Sequence, residues 1–168
     1  MKRILFSLFL ITVIILNASA QNKKAEREAM AKVKFEKALA ALNDKDYVII
    51  VGTYDKGDGN FETNTDNSVF ISYEKEDVFI QGQIIADNSH TNKLAVSEFK
   101  QVTDKKGNVK STMQLRGNLI NAKLEITLRT GGNTADVIIT PTKGGTKRFS
   151  GELEPRSESK YFKRPGII

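Results

Sequence analysis

Three hydrophobic patterns follow one another along the chain. Ile4 to Leu16 is almost continuously apolar, broken only by Ser7 and Thr12. From Asn22 to Leu42 the apolar residues recur at helical spacing, with Ala31, Phe35, Ala38, Leu39 and Leu42 on one face. That segment is rich in Lys, Glu, Arg and Ala and holds no Gly or Pro, so it predicts a helix. Asn43-Asp44-Lys45-Asp46 supplies turn chemistry at its end. The first turns, Asn22 to Glu28, are nearly all polar, and Phe35, Leu39 and Leu42 are the expected docking points on the rest of the chain.

From Tyr47 onward the period changes to two, the spacing of a strand with unlike faces. Expected strands are 47–54, 68–73, 78–85, 99–103, 109–116, 123–129, 135–140 and 147–153. The clearest is Lys123–Arg129, where Leu124, Ile126 and Leu128 alternate with Lys123, Glu125, Thr127 and Arg129. Turn residues separate the strands: Glu74-Lys75-Glu76-Asp77, Asp104-Lys105-Lys106-Gly107, Gly131-Gly132-Asn133 and Gly144-Gly145. Short strands joined by tight turns predict an α+β fold, with the helix packed on a strongly curved antiparallel meander sheet of about seven to eight strands. The helical face needs a surface to cover, which favours a bent open sheet; the alternative is a small closed β-barrel.

The first apolar run has a different meaning. Lys2 and Arg3 precede it, and Asn17-Ala18-Ser19-Ala20 places small residues before Gln21. A basic start, a short apolar core and small residues at −3 and −1 describe a cleavable Sec signal peptide, cut between Ala20 and Gln21. The run falls short of the roughly 20 apolar residues that span a bilayer. The expected organisation is a leader over 1–20, one domain over 21–155 and a C-terminal tail over 156–168. A periplasmic or secreted location follows. With no cysteine in the chain there is neither a lipoprotein anchor nor a disulfide, and stability must come from an apolar core. About 148 residues suffice for one. The formal charge is +6, and loss of Lys2 and Arg3 leaves +4, compatible with anionic partners without requiring them.

Candidate chemistry is sparse. The single histidine, His90, falls in the polar stretch Ala86–Asn92 beside Asp87 and Ser89, which reads as a surface loop. One histidine and no cysteine give no zinc ligand set. Carboxylate pairs suited to glycan hydrolysis could be drawn from Glu74, Glu76 and Asp77, or from Glu62 and Asp66, but both groups have ordinary turn composition. Asp55, Asp58 and Asn60 lack the alternating spacing of a calcium loop. The glycine pairs are hairpin turns, not phosphate loops. Lys143, Lys147 and Arg148 cluster near Phe149, but as a solvated hairpin tip with Phe149 turned to the core; no nucleic-acid surface is expected. The residues therefore assign no catalytic, cofactor-binding or metal site and no cofactor.

Thr140–Pro155 (TPTKGGTKRFSGELEP), after Ala135–Ile139 and the alternating strand Leu124–Leu128, resembles the C-terminal signature of the domain of unknown function 4251 family. The order of signal peptide, charged helix and first strands also fits, so the resemblance spans about Phe35 to Pro155. It implies a small exported protein of Bacteroidota, a common fold and a Gram-negative envelope setting, and carries no residue roles. Gln81–Leu94, rich in Gln, Asn and Ile, departs from the Pro-, Gly- and aromatic-rich segment the resemblance implies there.

Two functional classes follow. Strands 47–54 and 78–85 are apolar on both faces, which a single-layer sheet does not need. This suggests a non-catalytic envelope binding module holding a protein segment or an apolar ligand on its curved sheet. The alternatives are a carboxylate-dependent glycan hydrolase and a weak binder of anionic envelope polymers, whose binding would fall steeply with salt.

Overall fold

A computed structural model of the chain describes residues 2–57 and 59–168, with side chains from Lys23 onward. Helix α1 is assigned Lys2–Asn43. The expected leader and its Ala20–Gln21 cut lie outside the residues whose side chains are described. Among the described residues, no helix is long and apolar enough to cross a membrane.

Among the described residues nine strands follow: β1 (Asp46–Asp55), β2 (Phe61–Thr63), β3 (Phe70–Glu74), β4 (Asp77–Gln81), β5 (Thr91–Thr103), β6 (Val109–Gly117), β7 (Asn121–Leu128), β8 (Thr134–Pro141) and β9 (Lys147–Pro155). They form one antiparallel sheet in the order β2-β1-β3-β4-β5-β6-β7-β8-β9. The sheet closes on itself, because β1 also pairs with β9 from Tyr47↔Pro155 to Tyr54↔Phe149. The result is an eight-stranded up-and-down barrel, with β2 as an extra strand beside the far end of β1. The closed barrel, the alternative at the level of sequence, is the architecture found. The helix still finds its surface: it covers one open end of the barrel.

Two features allow closure. The β1 register shifts between Val51 and Thr53, and a bulge bends a strand and increases its twist. Gly151, opposite Val51, has no room for a side chain, since a Cβ there would meet the carbonyl of Ile50. A second shift between Ser97 and Lys100 in β5, with Glu98 at φ 54°, bends the opposite wall.

Period-two alternation fills the inside. Ile49 and Val51 of β1, Val78 and Ile80 of β4, Met113 and Leu115 of β6, Leu124, Ile126 and Leu128 of β7, and Phe149 and Leu153 of β9 are all buried in one cluster. An eight-stranded barrel is just wide enough for such side chains to fill. Ala38, Ala41 and Leu42 of α1 join this cluster, with Phe35 and Leu39 packed against it, so the expected docking residues make the contact. Gln101 Nε2 donates to Asn43 Oδ1 (2.8 Å), and Lys34 pairs with Glu152, fastening the helix to the rim it covers.

A second apolar cluster lies outside the barrel. Val48, Phe70 and Phe79 are buried, with Ile50 and Tyr161 packed against them. Their cover is the C-terminal segment 156–168, whose polar start suggests disorder but which runs as a strap across β1, β3, β4 and β5. Arg156 begins it on Asp46 (2.7 Å), and Tyr161 sets its ring edge-on against Phe70 at 4.7 Å. Lys163 lies 3.2 Å from the Phe79 ring centroid and 2.9 Å from Glu74. Gln81, fully buried, donates to the Phe162 and Ser68 carbonyls and accepts from the Arg164 N–H and the Thr91 hydroxyl. The last residue then pairs with the part of β5 that β6 does not reach: Ile168 N–H donates to the Thr91 carbonyl, and Lys93 N–H to the Ile168 carbonyl.

Candidate functional site

With the inside filled and one end under α1, the opposite mouth of the barrel holds a concave site that isoleucines help to line. Three connections build it. After Gln81, Gly82 turns at φ 109°, where a Cβ would strike the Val69 side chain. The chain then makes one helical turn, α2 (Gln83–Ala86), which tucks Ile85 and Ala86 into the mouth. Asp87 ends that turn in the left-handed region, and its carboxylate pairs with Lys147 at the start of β9 (2.8 Å). The strand expected over 78–85 thus stops at Gln81, because Gly82 breaks the ladder; its isoleucines plug an end instead of lining a face.

The β6–β7 hairpin is the second connection. Gly117 N–H donates to the Ile120 carbonyl (2.9 Å), and a Cβ on Gly117 would lie 2.9 Å from the Lys93 carbonyl oxygen, so the turn is held close to β5. It presents Leu119, 66% exposed, beside Ile120, which packs on the core. The third is the β8–β9 loop, fixed at its root where Thr142 N–H and hydroxyl both donate to the Asn121 carbonyl (2.8 and 3.0 Å). Beyond that root, Lys143, Gly144 and Gly145 are exposed. These connections enclose a pocket of about 420 Å³ with Ile80, Ile85 and Ile139 among its lining and Asp87, Leu119, Pro141 and Lys143 around it. That volume is in the range of small-molecule pockets, roughly 300–1,000 Å³.

The carboxylates considered for hydrolysis lie elsewhere, each in its own contacts. Glu74 and Asp77 face each other across the β3–β4 hairpin, but Glu74 is taken by Lys163, Arg156 and the Ser72 hydroxyl, and Asp77 by Lys93. Glu76 occupies the exposed turn between them. Glu62 accepts from the Tyr54 hydroxyl (2.7 Å) and pairs with Lys56, and that bond raises the Tyr54 pKa. Asp66 accepts from the Ser68 backbone N–H, which holds its carboxyl below the ordinary range. Of these acids none lines the mouth.

His90 sits in the exposed loop before β5, its backbone N–H donating to Asn88 Oδ1 (3.0 Å). Asp58 lies outside the described residues, while Asp55 Oδ1 accepts from Gly57 N–H as in an ordinary turn. Among the described residues, no three His, Cys, Asp or Glu side chains converge as a metal site. Phe149 is buried, whereas Lys143 and Arg148 stay at the surface. Leu119 and Ile120 are the mouth residues that period analysis passes over, because they fall between two strands. Their signal is an apolar pair at the tip of a hairpin flanked by Gly117, Asn118 and Asn121, where polar residues are the rule.

Fold and site define a small meander barrel capped by a helix at one end and open to a part-apolar pocket at the other. No family model matches the sequence, and no curated protein matches it. Among solved structures, the chain is similar to the crystal structure of a DUF4251 family protein from Bacteroides eggerthii DSM 20697. The TM-score is 0.69 and the identity 28%, covering 79% of this chain and 94% of that one. Together with the Thr140–Pro155 signature, this likeness supports the resemblance of the chain to the domain of unknown function 4251 family.

Proposed function

We propose that this protein is an exported, non-catalytic binding module of the cell envelope, which takes the apolar part of a small molecule into the barrel mouth. The observation that carries this reading is the mouth itself: a 420 Å³ pocket with an isoleucine-rich lining and an exposed leucine at its rim. Its one lining carboxylate, Asp87, is engaged by Lys147, which favours binding over acid–base chemistry. The leader-like N-terminus supports an envelope location.

The test is titration of the isotope-labelled protein with 1-decanol, an uncharged apolar probe, followed by amide NMR. Shifts should concentrate at 83–87, 118–121 and 139–143. Leu119→Asp, a change at an exposed site, should weaken the response several-fold without altering the fold. Absence of binding, or shifts centred elsewhere and indifferent to Leu119→Asp, would overturn the reading.

A further inference from the structure

The charges around the mouth are unequal, and this narrows the chemistry of the occupant. Asp87 and Lys143 are the ionic side chains lining the pocket, and Lys147 stands outside the lining. Asp87 and Lys147 neutralise each other across 2.8 Å. Lys143, exposed on the loop after β8, has no ion pair or hydrogen bond among the described residues. The mouth therefore joins a part-apolar lining to one uncompensated ammonium group. Its depth is limited, because Ile80 and Ile139 belong to the filled interior and block a chain from threading the barrel.

We propose that the occupant is a single-chain amphiphile with a carboxylate head: its chain lies against Ile85, Leu119 and Ile120, and its head pairs with Lys143. This rests on the mouth being a binding site. A cationic head would meet Lys143 with like charge and find Asp87 already engaged. An uncharged head would gain from apolar burial alone. Each methylene that enters should tighten binding by about fourfold, and the gain should level off once the chain exceeds the shallow pocket.

Decanoate, 1-decanol and decylammonium share one chain and differ in charge, so calorimetric titration of all three at pH 7.5 and low salt separates head from tail. Decanoate is fully ionised at that pH. It should bind about two- to fivefold tighter than 1-decanol, the range of a solvent-exposed ion pair, and decylammonium should bind more weakly than either. Lys143→Gln should abolish the preference for decanoate over 1-decanol. Lys143→Glu should transfer the preference to decylammonium. Raising the salt should erode the decanoate advantage alone. Equal binding of decanoate and 1-decanol, or a preference that survives Lys143→Gln, overturns the carboxylate assignment and leaves the apolar mouth standing. Failure of all three probes to bind overturns both.

Discussion

Tyr161→Ala is the sharpest test of the strap. Phe70 points out of the barrel, yet it is fully buried, because the Tyr161 ring lies edge-on against it with centroids 4.7 Å apart. Such an aromatic pair contributes about 0.5–1.5 kcal/mol beyond area burial. Tyr161 is itself only partly buried, so its truncation forfeits about half of the roughly 1.5–3 kcal/mol of a fully buried large side chain, and re-exposure of Phe70 adds a similar amount. The expected loss is about 3 kcal/mol. For a chain of this size that lowers Tm by roughly 6–12 °C. Phe162→Ala is the matched control: its ring is 55% exposed, and the backbone bond from its N–H to the Asn67 carbonyl survives the change. It should stay within about 0.5 kcal/mol of the parent. Urea unfolding of the three proteins, followed by far-ultraviolet circular dichroism, gives the comparison. If Tyr161→Ala and Phe162→Ala lose equal stability, or neither loses any, the strap does not cover the outer cluster and the reasoning fails.

Two other outcomes follow from the same structure. Gly151→Ala should cost about 3 kcal/mol or more, because the added methyl meets the Ile50 backbone at the seam that closes the barrel. Gly132→Ala, in a turn with nothing within 4 Å, should be nearly neutral; equal denaturation midpoints would refute the argument from the seam. Acid should weaken the strap's root. The guanidinium of Arg156, hydrogen-bonded to Asp46, holds that carboxyl below its ordinary value of 3.8, with Lys75 adding to the effect. A carboxyl depressed in the folded state stabilises it above the unfolded value, and the gain disappears as pH falls through the folded one. Asp46→Asn should therefore cost up to about 1 kcal/mol at pH 7, as expected of a partly exposed pair. The gap to the parent should close as pH drops below about 4, and a gap constant from pH 7 to pH 2 would refute the assignment.

Local pattern carried most of the architecture. Lys123–Arg129 alternates cleanly, and β7 has that register, with Leu124, Ile126 and Leu128 inside. The helical face of Phe35, Leu39 and Leu42 docks as its spacing implies. Closure was not legible, because whether a meander curls shut depends on the pairing of Tyr47–Tyr54 with Phe149–Pro155, about a hundred residues apart in sequence. The early half of β5 was hidden as well: Thr91 to Glu98 alternates weakly, and its Thr, Asn and Lys resemble loop composition. The polar start of the tail masked its docking, which rests on one buried glutamine and an outward phenylalanine that no periodicity marks as partners.

The apolar character of both faces of β1 and β4 now has a different weight. Taken from sequence, it argued for an external partner, since one layer of sheet needs only one buried face. The strap occupies that second face: Val48, Phe70 and Phe79 are covered by the chain's own residues, so their hydrophobicity is accounted for by folding. Those strands thus no longer argue for a ligand on the outer wall. What folding leaves unexplained is smaller and lies elsewhere. Leu119 stands 66% exposed on a hairpin that Gly117 holds tightly against β5, beside a pocket whose remaining charge belongs to Lys143. Leu119 is one of several exposed large hydrophobic residues, Phe61 at 64% among them, and it stands at the rim of the mouth. A ligand is therefore expected at the mouth and not on the curved wall, and changing Leu119 or Lys143 there tests function without first damaging the barrel.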